Sequence, residues 1–391
     1  MSDFIKRLKR LPNLPLGRKL EYVLWKFLGR RLEKSGVIGG NGRLRTSRVV
    51  KPPCRLPDHT FQRLVSVGGM GWSGSSAFID LLSEYSNVTT GLVGCPVDPD
   101  VHIHGFCAEF DLARGAGGLF SLERVLECDS QLGQDAAIHI FCELAEYAYL
   151  TNRSFYGEEF ISQTREFLNN IIDFKVRSAS GFDYCHHLGT LGNESLDHII
   201  GCEKSKPSHY VYYLKKLDRS QYRKLASAYL NDVLRMVESQ ELLVLDQALS
   251  DASGDMAKYQ EYFGPIKNIY VWRDPRELYA ASYKWVNRED FVPRNVDDFI
   301  TWYRNNIRIG LSVQHPDYLT VRLEDLLYDY SCTVKTVEDF LSLDEKQHVR
   351  MKQVMNPENS IQRSIGHAAA HPDQSAISRI ESELGEYCYK G

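Results

Sequence analysis

The fold is decided by the stretch Leu64-Val65-Ser66-Val67-Gly68-Gly69-Met70-Gly71-Trp72-Ser73-Gly74-Ser75-Ser76. A short apolar run comes first, a loop rich in glycine and serine follows it, and Phe78, Ile79, Leu81 and Leu82 then recur at helical spacing. Strand, glycine loop and helix in this order open a parallel α/β fold. We therefore predict a strand that leads through the loop into a helix.

Three more apolar runs have the length of strands in a parallel sheet, Leu242–Leu245, Asn268–Val271 and Tyr318–Val321. The segments between about residues 121 and 240 have a mainly helical pattern and are rich in aromatic residues. The predicted fold is α/β, with a P-loop-type parallel sheet flanked by helices, a helical insertion at about 121–240 and a basic N-terminal extension. We place the extension and its linker at residues 1–57 and the main domain at 58–391.

The charge of the chain is unevenly distributed. Residues 1–60 hold 15 Lys and Arg against 4 Asp and Glu, a net charge of +11, so the remainder carries −15 to give the total of −4. The run from Arg18 to about Lys34 has an apolar stripe framed by basic residues. Such a helix could lie on an anionic membrane surface, and the same pattern is typical of a helix packed on its own protein. A peripheral membrane contact through residues 1–35 is therefore one of two interpretations.

Composition excludes several other classes. No apolar run approaches the roughly 20 residues needed to cross a bilayer. The first residues do not have the pattern of a secretory signal, so none is expected. Nine cysteines are scattered without a Cys-x-x-Cys motif, which disfavours a zinc ribbon and a disulfide framework. We expect a cytoplasmic, metal-independent protein that does not bind nucleic acid, at the inner face of the membrane if the basic helix binds lipid.

The glycine loop has the composition of an anion site. Backbone N–H groups in such a loop converge on one point, and the following helix directs its positive end there. Gly69 and Gly74 have the spacing of the nucleotide triphosphatase loop, but Ser75 stands where that loop has its lysine. The loop is thus predicted to hold a phosphate or another tetrahedral anion, and hydrolysis of ATP or GTP is disfavoured.

A second candidate site follows the run Asn268–Val271. Pro275 suits the first turn of a helix and Asp274 is a good cap before it. Arg273 stands at the carboxyl end of the predicted strand, where ligands bind in open α/β sheets, and a guanidinium can hold a phosphate through two hydrogen bonds. The alternative is that Arg273 pairs with Asp274 and braces the turn.

Two anion sites on one sheet suit a ligand with phosphates at both ends, and here the chain resembles the sulfotransferases that use 3′-phosphoadenosine 5′-phosphosulfate. Five segments carry the resemblance: Gly69–Ser76, Arg273–Ser282, Tyr318–Leu326, Asn359–Gly366 and the ending Ile380–Cys388. The fourth is similar to the C-terminal loop that closes over the nucleotide in the family. Ordered matches cover roughly residues 61–120 and 242–389.

The resemblance implies roles for particular residues. The first segment would hold the 5′-phosphosulfate through Gly71, Trp72, Ser73, Gly74, Ser75 and Ser76. Arg273, Ser282 and Arg363 would hold the 3′-phosphate. Two positions depart from the family pattern: Trp72 stands where the family has lysine or arginine, and Ser282 falls one residue later than the family serine. A donor for the developing charge would then come from elsewhere, with these candidates: His102, His104, Arg114, Lys284 and Arg288.

Sulfuryl transfer to a hydroxyl also needs a base. Glu109 lies in a Glu-Phe context similar to that of bacterial members that act on surface glycans, and His104 is the second candidate. Asp183, His186 and His187 could line an acceptor pocket. The predicted function is a sulfotransferase with a carbohydrate or cell-surface glycan as acceptor. The alternatives are a non-catalytic nucleotide- or glycan-binding relative and a P-loop kinase.

Overall fold

The computed structural model describes residues 63–90, 93–94, 102–103, 118–126, 131–151, 159–177, 210–235, 241–249, 256–283 and 292–390. The basic extension, the linker and the candidate bases Glu109 and His104 lie outside these residues. So do Arg114, Lys284, Arg288 and the segment 183–187. Predictions about them stay predictions.

The chain begins its described part with β1 (Arg63–Gly69) and α1 (Ser75–Leu82). The remaining elements, in chain order, are β2 (Val88–Thr89), β3 (Val93–Gly94), β4 (His102–Ile103), α2 (Leu119–Leu126), α3 (Gln131–Thr151), α4 (Glu159–Ile171), β5 (Ile172–Arg177), β6 (Tyr210–Leu214), α5 (Arg219–Arg235), β7 (Leu242–Asp246), α6 (Met256–Phe263), β8 (Ile266–Trp272), α7 (Pro275–Tyr283), α8 (Val296–Ser312), β9 (Tyr318–Arg322), α9 (Leu323–Tyr328), α10 (Tyr330–Leu341), α11 (Pro357–Ser364) and α12 (Gln374–Leu384). A short 3₁₀ turn at Glu345–Gln347 precedes α11.

Five strands form one parallel sheet in the order β2-β7-β1-β8-β9. β1 is central, and its residue Val67 is in register with Asp246 of β7 and Ile269 of β8. The carboxyl ends of β1, β7 and β8 therefore lie side by side, which is the edge where open α/β sheets bind ligands. The predicted α/β fold with a parallel sheet flanked by helices is confirmed, as are the four predicted strands.

Apolar side chains from the sheet enter two large clusters. In the first, Leu64, Leu243 and Ile266 of the sheet pack with buried residues of α2, α3, α4, α5 and α6. In the second, Tyr270 of β8 packs with α7, α8 and α12. The helical pattern predicted for the insertion is present in its described parts. The structure adds β5 and β6, which pair antiparallel between α4 and α5.

The strands β3 and β4 pair antiparallel, with Val93 opposite Ile103 and Gly94 opposite His102. They belong to a compact unit separate from the one that holds the five-stranded sheet. Within the described parts of the chain, no helix is both long enough and apolar enough to cross a membrane.

Candidate functional site

The glycine loop joins the end of β1 to the start of α1. A turn is closed by the N–H of Ser73, which donates to the carbonyl oxygen of Met70 at 3.0 Å. Trp72 has a φ of 65° and Gly74, the cap of α1, has a φ of 91°. A left-handed backbone suits glycine but strains a bulky residue such as tryptophan. The first N–H groups of α1 have no partner within the helix, and its first turn carries no acidic residue, so this end of α1 is suited to an anion.

Gly69 and Ser73 show how tightly the loop is closed. A Cβ atom on Gly69 would lie 2.0 Å from the carbonyl oxygen of Val271 and 2.4 Å from Ser73 Oγ. Only glycine therefore lets β1, β8 and the loop approach each other this closely. Ser73 is 1% exposed, and its hydroxyl has no hydrogen-bond partner among the described residues. A buried hydroxyl without a partner is costly, and a bound anion would give it one.

Gln247, the residue directly after β7, closes one side of the loop. Its backbone N–H donates to the carbonyl oxygen of Val67 at 2.9 Å. Its side-chain Oε1 accepts from the N–H of Gly69 at 3.4 Å, and its Nε2 donates to Ser75 Oγ at 2.9 Å. The sequence prediction did not include Gln247. The only clue is its position at the carboxyl end of a buried parallel strand.

Arg273 follows β8 and is 5% exposed. Its Nη1 donates to the carbonyl oxygen of Trp72 at 3.3 Å, and its Nη2 donates to the carbonyl oxygen of Ser364. Its Nε is buried with no hydrogen-bond partner among the described residues. Burial lowers the pKa of Arg273, while Glu324, Glu277 and Asp274 oppose that effect. An arginine remains protonated in such surroundings, so the site contains a buried positive charge.

The acid that follows Arg273 pairs with a different arginine. Asp274 accepts from Nε and Nη2 of Arg276, at 3.1 and 2.7 Å, in a two-point pair. The N–H of Arg276 also donates to Asp274 Oδ1 at 2.8 Å, which confirms Asp274 as a cap of α7. Tyr389 donates its N–H to Asp274 Oδ2 at 2.8 Å. Asp274 and Arg276 thus brace the turn and hold the C-terminal residues, and Arg273 faces the glycine loop.

The segment that carries Arg363 differs from the predicted loop. Residues Pro357–Ser364 form the helix α11, capped by Asn356, and the loop begins only after it. Glu277 of α7 holds that loop by accepting the N–H groups of Gly366 and His367, at 3.1 and 2.9 Å. Arg363 is exposed in the last turn of α11, one residue before the carbonyl that Arg273 binds. Nothing in the sequence marked Glu277 for this role.

Three described residues of the predicted set remain. Gly71 is half-buried in the loop, Ser76 is exposed in the first turn of α1, and Ser282 lies on α7. Ser282 is 8% exposed, and its hydroxyl donates to the carbonyl oxygen of Tyr279 at 2.7 Å. The hydroxyl hydrogen therefore already forms a hydrogen bond within the helix, and Ser282 could donate it to a phosphate only if that bond were broken. Of His102, only the backbone in β4 is described.

The geometry brings three separately predicted pieces together: the glycine loop, Arg273 and the end of α11. Among the described residues Arg273 makes no ion pair within 4.0 Å, although a buried charge is normally paired. A second anionic group beside the loop would supply that pair, so the residues present fit a ligand with two phosphate-like groups. No group of three His, Cys, Asp or Glu residues in the described ranges could hold a metal ion.

Fold and site together define a P-loop-type α/β protein with a glycine loop suited to an anion and a buried arginine beside it. No protein-family model matches the sequence, and no curated protein matches it either. The fold is similar to that of solved sulfotransferases, the family that the sequence motifs resemble. One is the sulfotransferase domain of the Synechococcus PCC 7002 olefin synthase, which has 13% identity over 84% of this chain and 97% of that chain, with a TM-score of 0.36. Another is sulfotransferase STF9 from Mycobacterium avium, which has 10% identity over 98% of this chain and 88% of that chain, with a TM-score of 0.35.

A third solved structure is retinol dehydratase in complex with androsterone and the inactive cofactor PAP. It has 13% identity over 82% of this chain and 95% of that chain, with a TM-score of 0.29. All three TM-scores lie below 0.5. The function of the protein is therefore inferred from the residues of its site.

Proposed function

We propose that the protein is a sulfotransferase that moves a sulfuryl group from 3′-phosphoadenosine 5′-phosphosulfate to an acceptor hydroxyl, with a carbohydrate as the expected acceptor. The observation that carries the proposal is the contact between the buried Arg273 guanidinium and the Trp72 carbonyl of the glycine loop, at 3.3 Å. It brings a cation that forms no ion pair with any described carboxylate next to the glycine loop. The Ser73 hydroxyl of that loop has no partner among the described residues. A ligand with anionic groups at both ends of one nucleotide matches both features.

In this proposal the glycine loop binds the phosphosulfate and Arg273 and Arg363 bind the 3′-phosphate. The acceptor oxygen attacks sulfur while the bond from sulfur to the 5′-phosphate oxygen breaks, and adenosine 3′,5′-bisphosphate leaves. Glu109 or His104 takes the proton of the acceptor hydroxyl. Charge that develops on the leaving oxygen is stabilised by a donor outside the loop, and the candidates remain His102, His104, Arg114, Lys284 and Arg288.

The site argues against one of the two alternative functions, and the second shares the nucleotide-binding residues with the proposal. A P-loop kinase needs a lysine in its loop, and Ser75 occupies that position. A non-catalytic binding relative would keep the nucleotide site and lack turnover. The carbohydrate acceptor rests on the resemblance of the Glu109 segment to glycan-modifying members alone.

The direct test is calorimetric titration with adenosine 3′,5′-bisphosphate and, separately, with ATP and Mg²⁺. We expect micromolar binding of the bisphosphate, about 8 kcal/mol, and much weaker binding of ATP. Preference for ATP would favour the kinase, and no binding of either nucleotide would overturn the proposal. Bisphosphate binding without transfer of ³⁵S-labelled sulfuryl groups to any of a panel of glycans would favour the non-catalytic relative.

A peripheral membrane contact through residues 1–35 belongs to the same proposal, since a membrane-linked glycan is one acceptor of the predicted class. Removal of residues 1–35 should abolish sedimentation with vesicles that contain anionic lipid. Equal sedimentation of the full and shortened chains would exclude this contact.

A further inference from the structure

We infer that Gln247 is a positioning residue of the glycine loop, and that it directs the hydroxyl hydrogen of Ser75 toward the bound anion. The inference rests on the proposed function for the identity of the anion, but it derives from three hydrogen bonds of one side chain and its backbone. Gln247 follows β7, and the loop follows β1, the neighbouring strand.

The orientation of the Gln247 amide is set by its partner on β1. The N–H of Gly69 can only donate, so the atom that faces it must be the carbonyl oxygen Oε1. The amide nitrogen Nε2 then faces Ser75 Oγ at 2.9 Å and must donate, since an amide nitrogen is no acceptor. Ser75 Oγ therefore accepts from Gln247 and retains its own hydrogen for another partner.

The position of Ser75 gives that hydrogen its direction. Ser75 is the first residue of α1, directly after the cap Gly74, and only 9% of it is exposed. It therefore lies where the N–H groups of the helix converge on an anion. The loop contains no lysine or arginine, so each neutral donor contributes more to binding than in a loop with a basic residue. Gln247 fixes one such donor before the ligand arrives.

The backbone conformation of Gln247 indicates that the surrounding structure holds its side chain in this position. Its φ is 59°, in the left-handed region that a glutamine rarely adopts. The conformation is held by the bond from its N–H to the Val67 carbonyl and by the two side-chain bonds. A residue kept in a costly conformation by its surroundings is typical of functional sites.

A double-mutant cycle tests the inference with Gln247→Met, Ser75→Ala and the double variant in the full chain. Affinity is measured for adenosine 3′,5′-bisphosphate and for inorganic sulfate. We expect each single variant to weaken binding about fivefold, and the double variant to bind no more weakly than either single one, because Gln247 acts through Ser75. The inference would be overturned if the loss of affinity in the double variant were the product of the losses in the two single variants.

The variant Gln247→Glu distinguishes two roles of Gln247. In the first it orients the Ser75 hydroxyl, and in the second it only supports the loop through the Gly69 N–H. A carboxylate still accepts the Gly69 N–H, and its charge repels the anion whichever role Gln247 has. It also accepts the Ser75 hydrogen, so a positioning role predicts a larger loss of affinity from Gln247→Glu in the natural chain than in the Ser75→Ala variant, where only the repulsion acts. A supporting role predicts equal losses in the two backgrounds. The matched control is Gln260→Met, which removes a similar bond from an amide Nε2 to Asp317 Oδ2, 3.0 Å long, near the amino end of β9. It should leave affinity unchanged.

The two probes distinguish the inference from the function on which it rests. If the natural chain binds the bisphosphate and the Gln247 variants bind it equally well, the inference fails and the proposed function stands. If the natural chain binds sulfate but not the bisphosphate, and the cycle on sulfate is non-additive, the inference stands and the proposed function fails. Binding of neither probe overturns both.

Discussion

Arg273 donates from Nη1 to the carbonyl oxygen of Trp72 at 3.3 Å, across 201 residues of sequence. The bond joins the carboxyl ends of β8 and β1, which are adjacent in the sheet. On its other side the same guanidinium donates to Ser364, at the end of α11. One buried cation thus holds the glycine loop and the C-terminal segment together, and both are candidate parts of a nucleotide site.

Arg273→Lys should weaken binding of adenosine 3′,5′-bisphosphate by tenfold or more, equivalent to about 1.4 kcal/mol. An ammonium cannot bind two carbonyls and a phosphate with the geometry of a guanidinium. Isothermal titration calorimetry measures the change. The matched control is Arg304→Lys, since Arg304 lies on the surface in a pair with Glu383 at 3.1 Å. Equal affinities of the Arg273 variant and the natural chain would remove Arg273 from the site.

Much of the fold could be predicted because it depends on local patterns. Strands buried on both faces of a parallel sheet are continuous apolar runs, and β1, β7 and β8 are found where such runs occur. β9 lies at the edge of the sheet and is mostly half-buried, yet its shorter apolar run was sufficient to predict it. The end of the chain was less well predicted. Asn356 and Pro357 have the pattern of a cap and a first helical residue, yet the resemblance to a family loop directed the prediction away from a helix.

The parts of the site that were missed depend on contacts between distant residues. Gln247 reaches the glycine loop only because β7 pairs with β1, and the sequence does not state that pairing. Asp274 stands between two arginines in sequence, Arg273 and Arg276. The directions of the side chains at the start of α7 decide which of the two it pairs with. The position of Arg273 was predicted, but its two carbonyl partners were not.

Gly69→Ala should destabilise the protein by about 1–3 kcal/mol, the usual cost of overpacking, and abolish bisphosphate binding. Its Cβ would collide with the Val271 carbonyl and Ser73 Oγ, which cannot move without opening the loop. Gly264→Ala is the control: its φ is 74° but no atom lies within 4 Å of the added Cβ. It should cost about 1–2 kcal/mol from the backbone alone and leave binding intact. Chemical denaturation and calorimetry measure both effects, and retained binding in Gly69→Ala would contradict the described closure of the loop.

Glu324→Gln tests the buried carboxyl that accepts the Asp274 N–H at 3.0 Å. Burial raises the pKa of Glu324 above its ordinary value of 4.5, although the hydrogen bond from Asp274 and the charge of Arg273 oppose this. The stabilising contribution of the protonated form is complete below pH 4.5 and is lost as the pH rises through the raised pKa.

The stability of Glu324→Gln relative to the natural chain should therefore increase as the pH is raised from about 4.5 to about 7. Urea denaturation at several pH values measures the difference. A difference that stays constant or decreases with pH for Glu324→Gln would show that the carboxyl ionises at least as easily in the folded protein as in the unfolded chain, and would contradict the raised pKa.

Trp72→Lys should strengthen binding of the bisphosphate, because it adds a positive charge to a loop that has none. The affinity of this variant is compared with that of Trp72→Gln. Both variants lose the indole ring and both place a side chain at a φ near 65°, so they differ mainly in charge. We expect the lysine variant to bind about five- to tenfold more tightly than the glutamine variant at low salt. The difference in affinity between the two variants should become smaller as the salt concentration approaches 1 M, where the screening length falls to about 3 Å. Equal affinities at low salt would mean that the anion does not lie beside residue 72, and the phosphosulfate would then have to bind away from the glycine loop.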